Sequence, residues 1–462
     1  MLISLRRFFQ FKINKDKKFS TQEKLAYSKL SLIKHGKNIF YICRSLTGQG
    51  VRDTLDYFEK YHPEFKRIKF KSGEKVFDWE IPLEWNIRDA YVKHIKTDKK
   101  YCDFSNSNLH IVSYSEPVDK IMDLEELSKK LYTQPDQPNL IPYVTSYYFK
   151  DWGFCLSQNE KKNLPEGNYH VKIDSTLKKG NLDLSHAQLK GRSSKEILFT
   201  SYICHPSLAN NELSGPLVLN GLIDFIKSKN KKTKYSYRFL LVPETIGSIA
   251  YLSKFHRELK SKLICGYNLS CVGDERGYSH IKSPYGNNLA DIALSAALKG
   301  YENVNTYSYL ERGSDERQFC APNIDLPICT FCKTKFGEYP EYHTSGDDFS
   351  VVTEKGLKES LEVMKQIIEA FELSLYPKVA FKCEPQLGKR GLYPNISQKS
   401  KYRHPAQSRM DIIAFCNGKN NIFQISHMSK LPLKIVIEEL RVLIDNGLVI
   451  DNCKSYNWFR RK

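Results

Sequence analysis

The sequence predicts an α/β protein: a mostly parallel sheet sandwiched by helices, with an inserted β-rich domain and a C-terminal winged helix-turn-helix. Three observations predict it. Buried-strand runs alternate with amphipathic helical patterns from about residue 195 to 373, the pattern of a parallel sheet covered on both faces. From about 79 to 175 the chain changes to short strand-like pieces broken by Pro, Asn and Asp. After about 375, a Pro/Gly/Lys-rich connector precedes three short helical patterns and an apolar strand.

In chain order, T-G-Q-G-V-R-D-T-L-D-Y-F-E-K-Y (47–61) places Val51, Leu55 and Phe58 at helical spacing, with Gly48 and Gly50 at its start. W-E-I-P-L-E-W-N-I, L-H-I-V-S-Y and G-N-Y-H-V-K-I read as strands of the insertion. Strands are then expected over 195–203, 237–242, 263–269 and 326–333, with helices over 215–226, 248–259, 288–298 and 355–373. The last module reads as helices over 409–416, 422–427 and 433–446. The third ends at Asn446-Gly447 and runs into G-L-V-I-D-N. This divides the chain into a main domain in two parts, 1–78 and 188–374, an insertion over 79–187 and a winged helix over 375–462.

The length of 462 residues accommodates two or three domains with their own cores. No run approaches the roughly 18 apolar residues of a membrane span. The first twenty residues lack the uninterrupted apolar stretch and small-residue cleavage site of a signal peptide. Twelve cysteines without regular spacing suit a reducing compartment, so a cytoplasmic location is expected. The net charge of +19 is concentrated at the two ends. Residues 1–37 carry ten Lys/Arg against two acids, and residues 375–462 sixteen against six. Such ends are solvated, or attract polyanions loosely.

Chemistry is expected in four loops: C-H-P-S-L-A-N-N-E-L-S-G (204–215), V-P-E-T-I-G-S (242–248), E-R-G-S-D-E-R-Q-F (311–319) and E-Y-P-E-Y-H-T-S-G-D-D-F (338–349). In a parallel sheet the loops beyond the carboxyl ends of the strands carry the site. Two histidines with several carboxylates there make a donor set for Zn²⁺ or a similar ion. A neighbouring carboxylate can then take a proton from water. Taken singly, His205 reads first as a hydrogen-bonded structural histidine, and Glu244 can be a carboxylate at a helix N-terminus. Cys329 and Cys332, of opposite parity in a strand, read as packing residues. The aromatic group Trp79, Trp85, Tyr147, Tyr148, Trp152 and Phe154 reads as core, or as a cover stacking on a sugar or peptide.

Taken in order, these loops resemble those of the zinc aminopeptidases, a family that includes glutamate carboxypeptidases and glutaminyl cyclases. C-H-P-S-L-A-N-N-E-L-S-G, P-E-T-I-G-S-I, S-D-E-R-Q-F and C-R-S-L-T-G-Q-G-V together resemble, more narrowly, a bacterial group of aminopeptidase-like domain proteins linked to polysaccharide biosynthesis. P-D-Q-P-N-L-I-P-Y-V-T-S-Y-Y-F-K-D-W-G-F-C-L resembles the signature of that group's inserted domain. The resemblance implies a zinc-aminopeptidase-like fold, with His205 and His343 as metal ligands and Glu244 as the base. It also places the family's bridging aspartate at Asn211, a second glutamate at Thr245 and another aspartate at Ser270. Three of five ligand positions are therefore altered, and an amide cannot offset the repulsion of two dications.

The expectation is one zinc or similar divalent ion at most, held by His205 and His343 with oxygen from Glu244 or Glu212. Asn211, at the bridging position, is counted among the metal residues. Asp315 and Glu316, beside Arg312, would grip a cationic group such as an α-amine; an ion pair with Arg312 or Arg317 is the alternative. Asp347 and Asp348 would orient the His343 imidazole or form a turn. The functional expectation is a metal-dependent hydrolase of a peptide, amide or amino-sugar derivative. A binding protein that keeps the fold without turnover is the second reading, and a DNA-binding regulator the third. Against the third, L-K-I-V-I-E-E-L-R-V-L-I-D-N offers only Lys434 and Arg441 as cations and sets Glu438 and Glu439 toward phosphates. The winged helix is therefore expected to contact protein, by self-association or a partner.

Overall fold

A computed structural model describes residues 31–393 and 405–451. The N-terminal segment read above for a signal peptide, and the basic residues after 451, lie outside the described residues. The main elements are α1 (Leu32–Ile39), α2 (Gln49–Tyr61), β1 (Phe65–Lys71), β2 (Glu84–His94), β3 (Val118–Asp123), β4 (Asn168–Lys178), β5 (Asn181–Leu189) and β6 (Glu196–Tyr202). There follow α3 (Ser214–Ser228), β7 (Ser236–Val242), α4 (Ile246–Lys262), β8 (Leu263–Leu269), β9 (Tyr278–Ile281), α5 (Leu289–Leu298), β10 (Val304–Tyr307), β11 (Ile328–Cys332) and α6 (Glu354–Leu373). The C-terminal module holds β12 (Pro377–Val379), α7 (Pro405–Phe415), α8 (Ile422–Ser429), α9 (Leu433–Asp445) and β13 (Val449–Asp451).

An eight-stranded sheet of order β1-β5-β7-β6-β8-β11-β9-β10 forms the centre. The four middle strands β7, β6, β8 and β11 run parallel. β5 and β9 flank them antiparallel. Along β6 the side chains alternate between two cores. Ile197 and Phe199 join the one lined by α3, α5 and α6, and Leu198 and Tyr202 join the one shared with α4 and the insertion. The middle strands are buried on both faces, so their sequences are continuous apolar runs rather than alternating ones.

The insertion is built on an antiparallel sheet in which β4 lies between β2 and β3, with Lys100–Tyr101 on the outer edge of β2. β5 belongs to the central sheet, between β1 and β7. The boundary expected at 187 thus falls inside a central strand. N-L-D-L-S-H-A-Q-L alternates polar and apolar residues, which on sequence alone belongs with the β-rich segment. Cys329 and Cys332 are both buried and face separate clusters.

The C-terminal module is packed on the main domain. Phe423 of α8 meets Phe371 of α6 with ring centroids 5.2 Å apart. α9 buries Leu433, Val436, Ile437, Leu440 and Leu443, and its Arg441 reaches Glu369 of α6 at 3.1 Å. Lys299, just past α5, donates to the Ser426 carbonyl at 3.0 Å. Lys234 pairs with Asp451 of β13. These contacts join the module to the chain's own main domain.

Candidate active site

The four loops converge at the carboxyl ends of the middle strands. His205 follows β6, Glu244 follows β7, Ser270 follows β8, and the 311–319 and 338–349 loops close the rim. The His205 and His343 rings lie 5.3 Å apart between centroids, and His205 Nε2 faces Glu244 Oε2 at 3.9 Å. Burial holds both imidazoles far below the usual histidine value, at about 3, so they are neutral, as metal ligands must be. His343 Nε2 is buried with no hydrogen-bond partner.

His205 is oriented from behind. Its Nδ1 lies 3.1 Å from Glu212 Oε2 and 3.4 Å from Cys204 Sγ. A proton on Nδ1 shared with Glu212 leaves the Nε2 lone pair facing the site. Behind Glu212 stands Arg44, fully buried, with Nε 3.3 Å from the carboxylate. Arg44 also donates to the carbonyls of His205 (2.9 Å), Ile39 (2.7 Å) and Phe40 (3.2 Å). Burial raises the Glu212 carboxyl, and the guanidinium, which cannot deprotonate, opposes that rise. Glu212 thus orients His205, and with Cys204 the two form a buried group of potential metal donors on the Nδ1 side of the ring, away from Glu244, which faces Nε2.

Glu212 lies in a π-helical turn, Ala209–Leu213, that leads into α3. Asp347 fixes the turn by accepting from the backbone N–H groups of Asn210 (2.6 Å) and Asn211 (2.9 Å). Asp347 therefore shapes this turn and does not orient His343. Gly215 lets the turn approach the sheet, since a Cβ there would stand 2.1 Å from Ser201 Oγ and 2.5 Å from the Leu269 carbonyl. The side chain of Asn211 turns to the Tyr202 hydroxyl, whose oxygen lies 2.6 Å from Asn211 Oδ1 and 2.7 Å from Ser270 Oγ. A neutral network thus joins two of the altered ligand positions, which corrects Asn211 as a metal ligand.

Glu244 sits in a strained turn. Thr245 has φ 64° and ψ −79°, and Ile246 N–H donates to the Glu244 carbonyl at 2.8 Å, closing a γ-turn of the rare positive-φ kind. A β-branched residue at positive φ is costly and persists where its surroundings hold it. Here Asp315 accepts from Thr245 N–H at 2.8 Å and Arg317 donates to Thr245 Oγ1 at 2.9 Å. Burial, and then the charge of Asp315, raise the Glu244 carboxyl well above the ordinary range. Asp315 itself is raised, chiefly by burial.

The other expected contacts of the 311–319 loop do not form. Glu316 accepts from Gly313 N–H (2.8 Å), Ser314 N–H (3.0 Å), Asn268 (3.1 Å) and Thr330 (2.8 Å), so both its oxygens serve the fold. Arg312 is exposed, donates to the Tyr309 carbonyl and lies over the Tyr309 ring, and it pairs with neither Asp315 nor Glu316.

One contributor comes from the insertion. Tyr143 packs on both His205 and His343, with centroids 5.0 and 5.2 Å away, and its hydroxyl bonds that of Tyr147. Its N–H donates to the His343 carbonyl at 2.8 Å, and Ser345 N–H donates to the Ile141 carbonyl at 2.8 Å. This short bridge clamps the insertion to the loop holding His343, whose φ is 54°. Of the aromatic group read from sequence, Trp85 and Phe154 are core, whereas Trp79 and Tyr148 are exposed at the rim.

A second cluster, His280, Asp291 and Cys329, is wholly buried. Ser283 and Asn288 occupy the Asp291 oxygens, and Asp291 caps α5, so the cluster is part of the fold.

Fold and site together define an aminopeptidase-like α/β protein that carries a winged helix. Residues 34–374 match the family described as "Domain of unknown function (DUF4910)", and residues 374–451 match a winged helix-turn-helix family. The chain belongs to the DUF4910 family. It is 41% identical over 407 residues to a Clostridium acetobutylicum protein described as a polysaccharide biosynthesis protein with an aminopeptidase-like domain, covering 86% of this chain and 91% of the relative. A crystal structure of a C. acetobutylicum protein titled as a peptidase superimposes with TM-score 0.82 at 36% identity, over 93% of this chain and all of that one. A zinc aminopeptidase from Bacillus subtilis shares the fold alone, with TM-score 0.53 at 11% identity over 73% of this chain and 94% of that one. No helix among the described residues is long and apolar enough to cross a membrane.

Proposed function

We propose that this chain hydrolyses an amide or peptide bond at a site that takes one divalent cation, zinc by the donor chemistry, with Glu244 as the general base. The observation that carries this reading is His205 Nε2 facing Glu244 Oε2 at 3.9 Å, with the His343 ring 5.3 Å from that of His205 and its buried Nε2 without a hydrogen-bond partner. Two neutral imidazoles are donors that catalytic zinc takes, and the Glu244 carboxylate beside them is placed as the base, so these residues fit such an ion. The cation supplies Lewis-acid polarisation of the carbonyl and makes a water easier to deprotonate.

The protein's own groups do the rest. Glu212, held by Arg44, keeps the His205 proton on Nδ1 and the lone pair on Nε2. Glu244, with its carboxyl raised toward neutrality, suits proton exchange at its Oε2 near pH 7. Asp315 holds the strained turn that aims Glu244, and its buried carboxylate beside Glu244 suits an incoming ammonium group. Tyr143 shields both imidazoles from water. The Tyr202–Asn211–Ser270 network supplies no charge to balance a second dication, so the site is mononuclear.

The test is turnover of aminoacyl amides and N-acyl amino sugars by the zinc-loaded protein. Glu244→Gln should abolish turnover while zinc stays bound, and unchanged turnover would remove Glu244 as base. The same neutral network favours a second reading, a binding protein without turnover. A zinc-loaded protein inert toward every amide offered, yet binding one of them, would establish that reading instead.

A further inference from the structure

Large apolar side chains stand exposed on the insertion and beside its start, among them Phe77, Trp79, Leu83, Tyr148 and Phe149. Trp79 lies in the hairpin pairing Lys75–Val76 with Trp79–Glu80, and Tyr148 follows the loop that clamps His343. The two rings meet edge to face with centroids 5.4 Å apart. They also end a continuous run of rings that starts at the site. Tyr143 packs on His205 with its ring tilted, its hydroxyl bonds Tyr147, the Tyr147 ring lies 6.3 Å from that of Tyr148, and Tyr148 meets Trp79. The Tyr148 hydroxyl lies within electrostatic range of Cys204, Glu244 and Arg317. The rings therefore form a shelf at the mouth of the site, Trp79 37% and Tyr148 58% exposed.

We propose that Trp79 and Tyr148 form a stacking platform for a sugar ring at the mouth of the His205–Glu244–His343 site, so that the amide it acts on is carried by an amino sugar or glycan. This rests on the hydrolase reading above. An apolar side chain gains by enclosure, which an open shelf does not give. A pyranose gains by laying its C–H face on an aromatic ring while its hydroxyls stay in water. The C. acetobutylicum relative described by its role in polysaccharide biosynthesis fits the same substrate chemistry.

Saturation-transfer NMR titrations with the trisaccharides of N-acetylglucosamine and of glucose, on the full chain, test this. At least one should bind saturably. Trp79→Ala and Tyr148→Ala should each weaken binding tenfold or more without changing the melting temperature, because both side chains are exposed. Glu244→Gln should bind the sugar like the parent, so that loss of hydrolysis and loss of sugar binding are read separately. Sugar binding without any turnover would sink only the hydrolase reading. Failure of both sugars to bind, or unchanged binding in Trp79→Ala, would overturn the platform. So would a phenylalanine amide that depends on Trp79 where no sugar binds.

Discussion

The substitution Arg44→Met tests how the site is supported from behind. Arg44 and Glu212 are a charge pair with no exposed side-chain surface, 3.3 Å apart, and removing one member of such a pair typically costs about 3–5 kcal/mol. The carbonyls of His205, Ile39 and Phe40 lose donors in the same step. Methionine is close in length, so the cavity contribution stays small. The Glu212 carboxyl, already raised by burial, then takes up a proton, which limits the loss to about 3 kcal/mol, the lower end of that range. Urea unfolding followed by tryptophan fluorescence and circular dichroism measures this. The double variant with Glu212→Gln should recover about 1–2 kcal/mol of the single variant's loss, since neighbours in one network couple. A loss under about 1 kcal/mol, or purely additive effects, would refute the paired arrangement.

Other outcomes follow from the same geometry. Gly215→Ala should displace the turn carrying Asn211 and Glu212, because the new Cβ would overlap Ser201 and a backbone carbonyl; a clearly lowered melting temperature checks this. Phe423→Ala should cost about 3–5 kcal/mol and speed proteolysis of the C-terminal module, since the ring packs on Phe371. Duplex DNA should show only weak binding that vanishes between 50 and 200 mM salt, because α9 packs on the main domain; anisotropy titrations decide it. His35 and His62 are held neutral at about 4, chiefly by burial. Their folded values lie below the unfolded 6.5, so the unfolded state binds more protons between the two. Stability is then full above pH 6.5 and falls as pH drops toward 4, on the order of 2 kcal/mol for each. A melting temperature flat over that window would contradict it.

The central strands were legible because burial on both faces forces continuous apolar runs; the strand expected over 263–269 is β8 to the residue. The edges were not. In β1, F-K-R-I-K-F-K hides an edge strand behind four cations, and β9 and β10 are only four residues long. The candidate residues His205, Glu244, His343 and Asp315 were legible because each follows a strand end or lies in a loop rich in polar residues. Arg44 and Tyr143 were not, since their roles arise from contacts across 161 and 200 residues of chain, and no local spacing encodes these. Glu316 was misplaced because backbone N–H groups, an asparagine and a threonine take up its oxygens. A carboxylate near a site in sequence becomes structural when such groups reach it first.

Anomalous scattering at the zinc edge from crystals of the zinc-loaded protein tests the central claim most directly. The account predicts one peak per chain, lying between His205, His343 and Glu244, and lost in His343→Ala. Two peaks, a peak at His280 and Cys329, or no peak in that space would contradict it.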